Sequence, residues 1–135
     1  MKNYLSIDYG TKRIGLAINV GALAEPLKVI SNQVDAKNPV VQADVLREIT
    51  AICAQHQIDQ LVLGLSEAAM ADKIKQFAAE LSNASKLPIT LIDETLSSYE
   101  VKRRMLEAGF ALKKRQGQID HYAAALILED FLETL

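Results

Sequence analysis

The chain has 135 residues, 50% hydrophobic and 24% charged, with a formal net charge of −2. That length and balance fit one domain over residues 1–135 with a single core, and leave no room for a second full domain. The lone cysteine, Cys53, excludes an internal disulfide and a thiolate metal cage. The N-terminus has no signal-peptide pattern and no apolar run approaches the roughly 18 residues of a membrane span, so nothing directs the chain out of the cytoplasm or into a bilayer.

Tyr4 to Asp8 and Arg13 to Val20 read as two strands around a turn containing Gly10, an antiparallel hairpin. Pro26 to Ser31 follows as a third strand. Asn38-Pro39 supplies an N-cap with proline at the first helical position, and Val41, Val45, Ile49 and Ile52 recur at helical spacing to about His56, which caps the helix. Gln60 to Gly64 is a short continuous apolar run, as a strand covered on both faces requires. Met70, Ile74, Phe77, Ala78 and Leu81 mark a second amphipathic helix. Pro88 opens a strand from Ile89 to Ile92 that stops on Asp93-Glu94.

Ser97-Ser-Tyr-Glu100 has the form of a capping box, and the helix it starts should stop at Gly109. A final helix from about Gln118 to Thr134 carries Asp120, Ala124, Ile127, Leu128 and Phe131 on one stripe. Hairpin strands first and alternating elements afterwards predict an α/β fold, a mixed sheet with helices on its faces. Ligands in such sheets bind at the carboxyl ends of strands. Asp8, Gly64 and Asp93-Glu94 all fall at such ends.

An unpaired buried carboxylate costs several kcal/mol, so Asp8, Glu94 and Asp120 should be paired, hydrogen-bonded or bound to a cation. Taken singly, a strand-end aspartate is a turn former and an aspartate in a first helical turn is a cap. If the three converge, the fitting guest is a hard divalent ion, Mg²⁺ or Mn²⁺, which takes oxygen ligands and can be shared with phosphates. Such ions activate water and stabilise the leaving oxygen of a phosphodiester, which is nuclease chemistry. Asp93 competes with Glu94 for the inward position, since neighbouring strand residues face opposite sides.

Between Lys102 and Arg115, six cations (Lys102, Arg103, Arg104, Lys113, Lys114, Arg115) stand against Glu107, a local charge of +5 in a chain of −2 overall. Excess cation beside an acidic site suits a polyanionic backbone; the alternative is a solvated helix face. Thr11, Lys12 and Arg13, beside Asp8, extend the same surface. His121 follows Asp120, but a helix neighbour points about 100° away. Cys53, Ser97 and Ser98 carry no signature of an activated nucleophile, and Tyr122 reads as packing.

These residues resemble a known family. IDYGTKRIGLAI, the LVLGL strand, LIDETLSS, EAGF-x-x-KKR and IDHYAAALILEDFL, in that order, are similar to the RuvX/YqgF family of Holliday junction resolvase-like proteins. The resemblance covers essentially the whole chain. It implies an RNase H-like fold and a bacterial cytoplasmic nuclease that processes the 5′ end of the 16S ribosomal RNA precursor, with a second or ancestral role on branched DNA. The family's acidic positions fall on Asp8, the Asp93-Glu94 pair and Asp120.

The chain departs from the family pattern in three places. Gly64-Leu65-Ser66-Glu67 replaces Gly-Leu-Pro and a longer polar loop. Thr95 follows Asp93-Glu94 where arginine is common. Near Asp120 the chain has Gly117 and Ala123 where resolvases of this superfamily bring a further carboxylate, a gap that Glu67 could fill. Three readings therefore stand: an RNA-processing nuclease, a branched-DNA resolvase acting as a homodimer, and a catalytically weak binding module for nucleic acid or pre-ribosomal particles. The Asp-x-Gly-Thr pattern also resembles the phosphate loop of actin-like ATPases, which need two such domains.

Overall fold

The computed structural model describes residues 1–32, 39–65, 71–93 and 120–135, with backbone alone at 39–41, 93 and 120. Strands β1 (Tyr4–Tyr9), β2 (Arg13–Val20) and β3 (Leu23–Ser31) lead into helix α1 (Pro39–Gln55). Strand β4 (Gln60–Leu65), helix α2 (Ala71–Ser85), strand β5 (Ile89–Asp93) and helix α3 (Asp120–Glu133) follow. The five strands form one sheet in the order β3-β2-β1-β4-β5. Strands β1, β2 and β3 pair antiparallel, while β4 runs parallel to β1 and β5 parallel to β4. The carboxyl ends of β1, β4 and β5 therefore share one edge. The helix expected between Ser97 and Gly109, and the basic loop at 113–115, lie outside the described residues.

Alternation along the strands divides the core in two. Leu5, Ile7 and Tyr9 of β1, Ile14 and Leu16 of β2, and Leu61 and Leu63 of β4 pack with Val45, Ile49 and Ile52 of α1 and Ile74, Phe77 and Leu81 of α2. Tyr9 lies against Phe77 with ring centroids 4.6 Å apart. On the opposite face Tyr4, Ala17 and Val62 meet Ala124, Ile127, Leu128 and Phe131 of α3. Helices thus cover both faces, and Ala124, Ile127, Leu128 and Phe131 of the predicted stripe are buried, together with Ala123, Ala125 and Leu126 off it.

One boundary differs from expectation for an identifiable reason. Strand β3 begins at Leu23, ahead of Pro26, because Val20 pairs with Leu23 across the two-residue turn Gly21-Ala22. Gly21 has φ +60°, the first turn position that a type II′ hairpin gives to glycine. The extra residues are largely solvated, Leu23 being 70% exposed, and so carry no apolar alternation to read. Helix α1 ends at Gln55, with His56 in the C-cap position, its amide on Ile52 O (3.0 Å), and Gln57 after it at φ 53°. The Ile58 amide donates to Cys53 O (2.9 Å) and the Gln57 amide to Ala54 O (3.3 Å), the paired bonds of a Schellman cap.

Candidate active site

Asp8 sits at the carboxyl end of β1, on the α3 face. Its neighbours in the register are Gly15 of β2 and Gly64 of β4. The cross-sheet row through it runs Val29, Gly15, Asp8, Gly64, Ile92. A carboxylate with glycine on both sides has no Cβ beside it within the sheet.

Helix α3 runs against β1 and brings its own start to the same edge. Phe131 packs edge-on to Tyr4 with centroids 5.1 Å apart. The Ser6 hydroxyl, fully buried, donates to the Ala124 carbonyl. A Cβ on Gly64 would come within 2.6 Å of Ile127 Cδ1, so the glycine is what lets the helix lie this close. Going from Phe131 back to Ala124 follows β1 from Tyr4 to Ser6; continued in the same sense, the first turn at Asp120 falls at the Asp8 end of the strand. The macrodipole of α3 is positive at that end.

The turn after β1 is tight. A Cβ on Gly10 would meet Arg13 O at 2.5 Å, which explains the glycine predicted there. Thr11 is partly buried, while Lys12 and Arg13 are exposed. Arg13 has the strand parity of Gly15 and Ala17, so it belongs to the face that carries Asp8. One residue of this turn's environment escaped sequence reading. Asn32, just past β3 and 2% exposed, donates from Nδ2 to Gly10 O at 2.7 Å and from its backbone amide to Lys12 O at 2.8 Å.

The remaining candidates divide sharply. Glu94, Arg103, Lys113, Lys114 and Arg115, like Glu67, lie outside the described residues, as do the side chains of Asp93 and Asp120. Among the described residues no three His, Cys, Asp or Glu side chains gather as a metal site. His121 and Tyr122, which follow Asp120 on α3, are partly buried with ring centroids 4.2 Å apart. Cys53 is a core side chain whose thiol is pushed up to about 11 by burial, so it is protonated and unreactive at neutral pH.

Residues 2–134 match the RuvX family, whose description is Holliday junction resolvase. This chain belongs to the RuvX family. A relative from Anaeromyxobacter sp. is 36% identical, with 96% of each chain covered, and is named "Putative pre-16S rRNA nuclease". One of the same name from Rhodobacter capsulatus is also 36% identical, over 96% of this chain and 82% of its own. Among solved structures, T. thermophilus RuvC in complex with a Holliday junction superposes with a TM-score of 0.68 at 12% identity, covering 99% of this chain and 95% of that one. Fowlpox virus resolvase, in complex with Holliday junction DNA, gives 0.58 at 14% identity over 98% and 97%. At such identities these likenesses show the fold, the RNase H-like architecture of RuvX and RuvC proteins. Among the described residues no helix is long and apolar enough to cross a membrane.

Proposed function

We propose that this RuvX-family chain is a cytoplasmic, metal-dependent nuclease that hydrolyses phosphodiester bonds and processes the 5′ end of the 16S ribosomal RNA precursor in ribosome biogenesis. The observation that carries the reading is Asp8 on the α3 face, flanked by Gly15 and Gly64 at the edge where β1, β4 and β5 all end. The names of the relatives supply the substrate.

In this reading Asp8, Glu94 and Asp120 hold Mg²⁺ or Mn²⁺. Carboxylate oxygens at a strand-end edge are the donor set these hard ions prefer. Glu94 is favoured over Asp93 by strand parity. Ile92 packs on the α3 side, and Glu94 is the next residue of its parity; Asp93 is in register with Leu65, which packs on the other side. Bound there, the metal supplies Lewis acidity and a water activated for attack on phosphorus. The chain's own part is to hold the polyanion: Thr11, Lys12 and Arg13 beside Asp8, joined by Arg103, Lys113, Lys114 and Arg115.

The test is cleavage in Mg²⁺ and in Mn²⁺ of two labelled substrates, a 16S precursor 5′ leader and a four-way DNA junction, by wild type, Asp8→Asn and Asp120→Asn. The expected result is that wild type trims the leader while both variants bind it and leave it intact. Preferential cutting of the junction would instead support the resolvase reading, which the family's own description favours. That activity calls for a homodimer with two sites, whereas trimming one RNA end needs only a monomer. Binding without cleavage in either metal would leave a nucleic-acid-binding or ribosome-assembly module.

A further inference from the structure

Asn32 has no role in the reading above, yet it is a polar side chain buried as deeply as the core and aimed at the turn that follows Asp8. It reaches Gly10 O through its side chain and Lys12 O through its backbone, so one residue holds both carbonyls that bracket Thr11. Burying an amide side chain without partners is unfavourable, and these bonds are what make its burial tolerable. A residue needed only to end β3 would have no reason to spend its side chain on a turn 22 positions earlier.

The orientation of the Gly10-Thr11 peptide follows. None of the described peptide bonds is cis. In a planar trans peptide the carbonyl and the next N–H point in opposite directions. With Gly10 O turned toward Asn32, at the β3 side of the sheet, the Thr11 N–H faces the other way. On that side lie the ends of β1, β4 and β5. A Cβ at residue 10 would strike Arg13 O, so glycine there is part of the same tight geometry.

We propose that Asn32 is a positioning residue for the strand-end site, fixing the Gly10–Lys12 turn so that the Thr11 backbone N–H donates to a phosphate oxygen of the bound nucleic acid. The proposal rests on the nuclease reading only for the class of ligand. Asn32 itself touches no substrate. It acts by keeping one donor pre-oriented, so that no ordering of the turn is needed when the polyanion arrives.

The experiment compares wild type, Asn32→Ala and Asn32→Asp, the last matching asparagine in shape but lacking the side-chain donor. Amide NMR is recorded during titration with a short 16S precursor leader RNA in Mg²⁺, together with hydrogen exchange and single-turnover cleavage. In wild type the Thr11 amide resonance should move on RNA addition. In both variants exchange at the backbone amide of residue 32, which donates to Lys12 O, should rise while Ile49 and Leu63 keep their protection, and RNA affinity should fall about fivefold to tenfold, the size of one lost hydrogen bond. A Thr11 resonance unmoved by RNA in wild type overturns the proposal even if cleavage is seen. Variants that loosen the turn yet bind and cut as wild type overturn it too, and so do variants whose exchange at residue 32 is unchanged. If wild type cuts nothing but Thr11 moves and the variants bind more weakly, the proposal stands and the nuclease reading falls.

Discussion

On one side of the sheet Leu5, Ile7, Ile14, Leu16, Leu61 and Leu63 meet Ile49, Ile74, Phe77 and Leu81. On the other, Tyr4 meets Phe131 at the far end, and toward the strand ends the positions are Ser6, Asp8, Gly15, Ala17, Val62 and Gly64, which the helix answers with Ala124, Ile127 and Leu128. Large aliphatic side chains interlock and supply dispersion and hydrophobic burial. Small ones let α3 lie close to the strands, as Gly64 against Ile127 shows, and leave polar atoms near the strand ends. The α1/α2 face is filled with large aliphatic side chains, and the α3 face gives up bulk toward the strand ends, where the proposed site lies.

Substitutions that separate stability from activity would sharpen or break that contrast. The largest expected effect is on the aliphatic face. Phe77→Ala, which empties a 2% exposed position stacked on Tyr9, should lower unfolding free energy by about 3–5 kcal/mol in urea titration. Turnover per folded molecule should be unchanged. On the other face Asp8→Asn should reduce cleavage by about 10²–10³-fold with a much smaller shift in the urea midpoint. Equal stability losses for the two would erase the distinction between the faces.

Smaller effects probe the contact of α3. Gly64→Ala forces a methyl against Ile127 and should destabilise by about 1–3 kcal/mol. Ile127→Val, which lacks the Cδ1 atom, should recover much of that loss in a double-mutant cycle. Ser6→Ala removes the donor to Ala124 O and should lower stability by about 1 kcal/mol, with weaker exchange protection at the start of α3.

One further effect appears only in alkali. Burial lifts the Cys53 thiol from 9.0 to about 11, so the unfolded chain gives up its proton first as pH rises. The stability tied to the neutral thiol is complete below 9.0 and is lost as pH climbs toward 11. Cys53→Ala should flatten the pH dependence over that interval, on top of a pH-independent loss of about 1 kcal/mol from the emptied core position.

Elements announced by local chemistry are legible in the amino-acid sequence alone. Asn38-Pro39 marks the start of α1, and the stripe from Ala124 to Phe131 is the buried face of α3. Asp8 can be chosen only in company, because several acids, Asp8, Asp93-Glu94 and Asp120, end apolar strands or head an apolar stripe. What is not legible depends on register. Nothing near Gly15 or Gly64 says that they flank Asp8, since that follows only once β2 and β4 pair on either side of β1. Asn32 lies in a stretch with no motif and matters only because β3 returns beside the turn after β1. The choice between Asp93 and Glu94 has the same origin, because a parity argument needs to know which side Ile92 packs on.

The bond from Ser6 to the Ala124 carbonyl spans 118 positions of sequence. Among the described residues the fully buried positions of the aliphatic face lie between Leu5 and Leu81, whereas the face that carries Asp8 waits for α3, which follows all five strands. Contacts of such long separation are assembled late, because a large loop must be closed before they return anything. A chain emerging from its N-terminus therefore has the residues of the aliphatic half-core available before those that cover the face carrying Asp8.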